Sequence, residues 1–176
     1  PSGKLPETFY KKVTDCSAHC LGEFAGVEKV SYKEGIFVGY RYNETFGVIP
    51  QFCFGHGLSY TKFAYEDARY DAGADGGAVV GRIRNEGTCA GAEIVQVYRI
   101  SETGEAVKGH WRMAENIAKL RPARELIGFE KVFLKPGEGK ELRIPVKEAK
   151  GRCKLGVGSS VKDIRIVIET TLAGMN

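Results

Sequence analysis

From Phe63 onward the chain alternates apolar and polar positions in short runs broken by turn residues, the period-2 pattern of strands with one buried face. In KFAYEDARY, Phe63 and Tyr65 share a face. In AVVGRIRN, Val79 and Ile83 fall together, and NEGTCAG behind them is loop chemistry. Val95 and Val97 alternate with Ile94, Gln96, Tyr98 and Ile100 in AEIVQVYRI, so both faces carry apolar groups and a central strand is predicted. LIGFEKVFL supplies another run. In LKPGEGKE, Pro136 and Gly137 suit the two central positions of a tight turn. Leu142, Ile144 and Val146 then share a face, with Pro145 marking an edge or a strand end. CKLGVGSSVKDIRIVIETTL predicts a hairpin, Leu155 and Val157 on one arm and Ile164, Ile166 and Ile168 alternating on the other. These runs amount to about six or seven strands in roughly 110 residues, the dimensions of an immunoglobulin-like antiparallel β-sandwich. Without a disulfide framework or a buried-Trp pattern, the fibronectin type III-like variety is favoured, and the fold class is mainly β.

Two segments break the rhythm. The stretch at about 101–124 exceeds the roughly 12–15 residues of an ordinary connection. Met113, Ile117 and Leu120 lie at helical spacing there, with Trp111 and Ala114 beside them. That predicts a short amphipathic helix, which either caps its own sandwich or docks a neighbouring domain. The other segment, Tyr32 to Thr61, is dense in glycine and aromatic residues. Gly35, Gly39, Gly47, Gly55 and Gly57 permit close backbone approach, and Tyr40, Tyr42, Phe46, Phe52, Phe54 and Tyr60 carry a large aromatic area. Either this loop folds onto its own sandwich or it is a strap lying between two larger bodies.

Charge narrows the partners. The chain has 26 Lys and Arg against 22 Asp and Glu in 176 residues, and its net +4 is dispersed rather than gathered into a basic run, so nucleic acid is not expected. No apolar run approaches the roughly 20 residues of a membrane span, so no membrane partner is expected. Five cysteines, Cys16, Cys20, Cys53, Cys89 and Cys153, are odd in number and lack framework spacing, which suits reduced thiols in a cytoplasm-like compartment. Cys16, His19 and Cys20 suggest a metal clip, but a closed zinc site needs four ligands and no second cluster follows, so no metal and no cofactor is expected. Asn43-Glu44-Thr45 is formally a glycosylation sequon, a triplet frequent by chance.

Six collinear motifs carry a family resemblance: PSGKLPETF at 1–9, YKEGIFVGYRY at 32–42, FGHGLSYT at 54–61, NEGTCAGAEIVQVY at 85–98, ELIGFEKVFLKPGE at 125–138 and VGSSVKDIR at 157–165. In order, they resemble the C-terminal region of glycoside hydrolase family 3 enzymes, the β-glucosidase and β-xylosidase family. The resemblance implies that 1–61 is the tail of an α/β sandwich domain followed by an interdomain strap, and that 62–176 is a fibronectin type III-like sandwich with its insert at about 101–124. It implies as partners the catalytic barrel and α/β domains of a family 3 glycosidase, in cis or in trans, with saccharide as a further candidate ligand. The candidate interdomain contacts are Tyr40, Arg41, Tyr42, Phe52, Phe54, Tyr60 and Trp111.

The resemblance implies no catalytic residue here. Retaining glycosidases need two carboxyl groups about 5–5.5 Å apart. The family's nucleophile sits in an Asp-Trp motif of its barrel, whereas the sole Trp of this chain follows His110. Glu34, Glu44 and Asp67 read as solvated or capping groups, and His56 as a packed or loop histidine. Three functions stay open: a non-catalytic domain that stabilises or docks onto the catalytic body of a β-glycosidase; an independent carbohydrate- or surface-binding module using Trp111 with Tyr40, Tyr42 and Tyr60; and a small hydrolase with an unrecognised site. The first accounts for most of the pattern.

Overall fold

The alternating runs form seven strands in a computed structural model that describes residues 3–20, 32–73, 77–101, 120–146 and 151–172. They are β1 (Phe63–Asp71), β2 (Ala78–Asn85), β3 (Gly91–Ile100), β4 (Arg124–Leu134), β5 (Gly139–Pro145), β6 (Gly151–Gly158) and β7 (Ile164–Leu172). Three short helical pieces precede them: a 3-10 turn at Val13–Asp15, helix α1 (Ser17–Cys20) and helix α2 (Tyr40–Phe46). The chain divides into two units, residues 1–4, 55–100 and 126–176 in one, 5–54 and 101–125 in the other.

The first unit is the sandwich. One sheet has the order β1-β2-β5 and the other β4-β3-β6-β7, and the strand pairs β1/β2, β2/β5, β3/β6 and β6/β7 run antiparallel. Its core lies between the sheets: Phe63, Val79, Ile83, Leu142 and Ile144 come from one, Val95, Val97, Val132, Leu134, Leu155 and Val157 from the other. All but Val132 and Leu134 are inward positions read from the alternation, because a strand buries every second side chain; those two show which face of the LIGFEKVFL run is buried. β3 lies inside its sheet, and Gln96 and Tyr98, on its other face, are buried too. The expected central strand is therefore observed. β5 is an edge strand, and Pro145, which has no N–H for a ladder bond, is its last residue.

Turn chemistry fixes two connections. Between β4 and β5 the Glu138 N–H donates to the Lys135 carbonyl at 3.0 Å, and Gly137 takes φ +75°. This is a type II turn with Pro136 and Gly137 at its centre. Between β6 and β7 the ladder shifts register after Val157. Ile166 and Ile168 stay on the core row, whereas Ile164 does not. Gly156, outward-facing between core residues Leu155 and Val157, would place a Cβ 2.9 Å from the Ile164 Cγ2. The bulge thus turns Ile164 onto the outer face, a one-residue slip that the alternation alone does not reveal.

The outer face of the three-stranded sheet is a ladder of opposite charges. Arg82 lies 2.9 Å and Arg84 3.8 Å from Glu66, and Arg143 lies 2.5 Å from Asp71. Exposed pairs of this kind contribute little stability and mark a solvated surface.

Candidate docking surface

Most of the expected contact residues lie in the unit formed by 5–54 and 101–125, which is organised around α2. Helix α2 starts after Gly39 at φ 54° and ψ −132°, a conformation essentially restricted to glycine. It stops at left-handed Gly47, whose N–H donates to the Asn43 carbonyl. Tyr42 and Phe46 are four residues apart on one face, with ring centroids 5.3 Å apart, and Phe37 stands edge-on to Phe46 at 5.3 Å. Cys20, Val48 and Leu120 pack around this trio. Polar groups lock the helix. Thr45 Oγ1 donates to the Arg41 carbonyl at 2.6 Å and accepts from the Ala123 N–H at 2.9 Å. Arg124 Nη1 lies 3.5 Å from Glu44, whose carboxylate is almost wholly buried.

The structure distributes the candidate residues as follows. Tyr40 and Phe54 come together, with centroids 4.8 Å apart. Phe52 pairs instead with Phe9, through reciprocal backbone bonds of 2.9 and 3.2 Å and an edge contact at 6.3 Å. Tyr42 is enclosed in its own unit, and half-buried Arg41 supports Thr45 through its carbonyl. Tyr60 belongs to the sandwich unit and is 93% exposed. Trp111 and most of the expected insert helix lie outside the described residues. Large apolar side chains stand in solvent along the same stretch: Tyr32 at 84%, Ile49 at 70% and Leu58 at 68% exposure. Large exposed apolar side chains occur on the sandwich strands as well: Phe129, Phe133 and Val167.

The acidic and nucleophilic groups are engaged elsewhere. Asp67 accepts the Arg82 N–H at 3.0 Å, at the bulge in β1. Glu34 is buried, Glu44 faces Arg124, and all five cysteines are free thiols. No group of three His, Cys, Asp or Glu able to hold a metal occurs among the described residues. Asn43 is buried, and its amide donates to the Val48 carbonyl at 3.1 Å, so the formal sequon presents no acceptor nitrogen to a glycan. Burial, reinforced by nearby Cys16, pushes the Tyr10 hydroxyl up to about 12.

Sequence reading passed over two sites in the sandwich. Asn85, read only as the start of a loop, is fully buried and uses its whole hydrogen-bonding capacity. Its amide donates to the Leu134 and Cys89 carbonyls at 3.0 and 2.8 Å. Its Oδ1 accepts from Thr61 Oγ1 at 2.5 Å and from the Gly87 N–H at 3.0 Å. Its backbone pairs with Gly137 and Glu138. One residue thus ties the entry to β1, the β2–β3 loop and the β4–β5 turn. The second site is a set of charges near Tyr65. Arg165 lies 4.6 Å above the Tyr65 ring and donates to Asp163 at 2.8 Å, and this pairing holds the Asp163 carboxyl below its usual range. Lys4 lies 3.2 Å from buried Glu93.

Comparison with known proteins agrees with this architecture. The family model for the fibronectin type III-like domain matches residues 93–153. The thermostable β-glucosidase B of Acetivibrio thermocellus is 44% identical over 145 residues, covering 80% of this chain and 17% of that protein. DesR, a β-glucosidase from Streptomyces venezuelae solved in complex with D-glucose, superposes with a TM-score of 0.82 at 30% identity, covering 98% of this chain and 23% of that one. The GH3 β-glucosidase of Bifidobacterium adolescentis gives 0.80 at 33% identity over 98% of this chain and 26% of that one. The chain therefore spans about a sixth to a quarter of the length of these relatives. Its collinear motifs, its two antiparallel sheets and these likenesses agree: the chain is the fibronectin type III-like region of the glycoside hydrolase family 3 β-glucosidases.

Proposed function

We propose that this chain is a non-catalytic portion of a β-glycosidase and that its work is structural, holding and stabilising the catalytic domains of the parent enzyme. The supporting observation is the exposure of large apolar side chains in each unit, Tyr32 and Ile49 in the one and Leu58 and Tyr60 in the other, while Tyr40, Tyr42, Phe46, Phe52 and Phe54 are packed within the chain. Burying such a surface against a second body is favourable by roughly 25 cal/mol per Å² of apolar area. The partners are the barrel and α/β domains of a family 3 glycosidase, and the boundary falls near residue 61, where the strap gives way to β1. The parent hydrolyses O-glycosyl bonds, in keeping with the β-glucosidase names of the relatives. Glu44 and Asp67 are committed to Arg124 and to the β1 bulge, which leaves them poorly placed as a catalytic pair.

An assay of the purified chain on aryl β-glucosides and β-xylosides tests the non-catalytic reading. No turnover above buffer is expected. Saturable hydrolysis that survives repurification would overturn it.

A further inference from the structure

Glu93, at the third position of β3, is a buried carboxylate whose cation is Lys4, some ninety positions away in sequence. The same Glu93 oxygen that faces Lys4 accepts the Ile94 N–H at 2.9 Å, so the carboxylate is fixed by its own strand before the lysine arrives. A buried carboxylate needs such a partner, because desolvation without one is costly. Two glycines show how closely the neighbouring chain is laid down. A Cβ on Gly57 would stand 2.6 Å from the Gly3 carbonyl oxygen, and one on Gly55 would stand 2.8 Å from the Gln96 amide and from Ser160 Cα. Residues 3–4 and 55–57 therefore run against each other, and 55 lies on the sandwich. These are also the points where the chain leaves the sandwich unit and where it returns.

We infer that Lys4 and Glu93 form an electrostatic latch that holds residues 3–4 onto the sandwich beside 55–57, at the points where the chain leaves and re-enters that unit. The lysine of the PSGKLP motif thereby acquires a role: it is the sandwich's own counter-ion, supplied by the chain entering it. The surroundings are balanced for this, since Lys4 and Arg165 stand near Glu93 and Asp163, two cations with two anions. The inference does not depend on the docking reading, because every group in it belongs to this chain.

Amide hydrogen exchange on the full chain, read at residues 3–5 and 54–58, tests the latch in Lys4→Met, Glu93→Gln and the double variant. Lys4→Met, which strands the buried carboxylate, is expected to speed exchange there at least tenfold and to lower the Tm. The double variant leaves neither charge unpaired and is expected to recover much of the Tm loss, the non-additivity of a direct contact. Lys4→Arg, which keeps the charge, is expected to keep protection within about threefold of the parent. Should Glu93→Gln fail to fold, Lys4→Met against Lys4→Arg still decides. Exchange and Tm unchanged in Lys4→Met, or equal losses in the Met and Arg variants, would overturn the latch, as would losses that simply add in the double variant.

Discussion

The Asn85 amide donates to the Leu134 carbonyl at 3.0 Å, joining the end of β2 to the end of β4 across 49 positions of sequence. Both residues are fully buried, and the bond spans the two sheets. Asn85→Ala would leave the Leu134 and Cys89 carbonyls and the Thr61 hydroxyl without this partner in a water-poor site. The expected loss is about 2–4 kcal/mol of unfolding free energy, read from urea or thermal unfolding. Asn85→Asp keeps the acceptor but removes both donors and buries a charge, so it is expected to cost at least as much.

Gly158 ends β6 immediately before the bend into β7, and a Cβ there would lie 1.9 Å from the Asp163 carbonyl oxygen. Ser159 and Asp163 close this bend through a backbone bond of 3.0 Å and a hydroxyl–carboxylate bond of 2.5 Å. Gly158→Ala must push backbone against backbone, so a loss of about 2 kcal/mol or more is expected in the same unfolding experiment.

Thr45 reaches one end of the 101–125 segment through its hydroxyl, which accepts the Ala123 N–H. Thr45→Val keeps the shape and removes the oxygen, leaving a buried N–H unpaired. The expected cost is about 1–3 kcal/mol. Faster exchange of the Ala123 amide, with the sandwich strands unaffected, is the accompanying observation.

Asp163 sets an acid limb. Arg165 holds its carboxyl below the usual range, so the native state binds this proton less readily than the unfolded chain does. The resulting stabilisation is present above the unfolded pKa of about 4 and is lost as pH falls through the lower native value. Tm is expected to drop as the pH falls below about 4, and Asp163→Asn is expected to flatten that part of the profile. The carboxylate is partly exposed, so the effect should be modest and should shrink in salt.

The sandwich was legible because strands with one buried face write their burial directly into every second residue. Val79 and Ile83, Val95 and Val97, and Leu155 and Val157 all reached the core row that their alternation implies. Helix α2 was not legible: it is seven residues long, it offers a single i,i+4 apolar pair in Tyr42 and Phe46, and its ends are set by two glycines that also read as loop. Asn85 and the Lys4–Glu93 pair were invisible for a different reason. Their meaning lies in partners tens of residues away, and a polar residue destined for burial looks in sequence like one destined for solvent. Of the six aromatic residues that made the strap look over-supplied, Tyr60 is exposed, whereas Tyr40, Tyr42, Phe46, Phe52 and Phe54 find partners within the chain, because a second small unit around α2 takes them up.

As proposed, this region stabilises a catalytic body without acting on substrate. Its most direct test is the thermal unfolding of a family 3 β-glucosidase core lacking this region, recorded with and without the purified chain, alongside turnover of an aryl β-glucoside. Adding the chain is expected to raise the core's Tm in a saturable manner and to slow the loss of its activity on heating. A core whose Tm and turnover are indifferent to the chain at any concentration would contradict it.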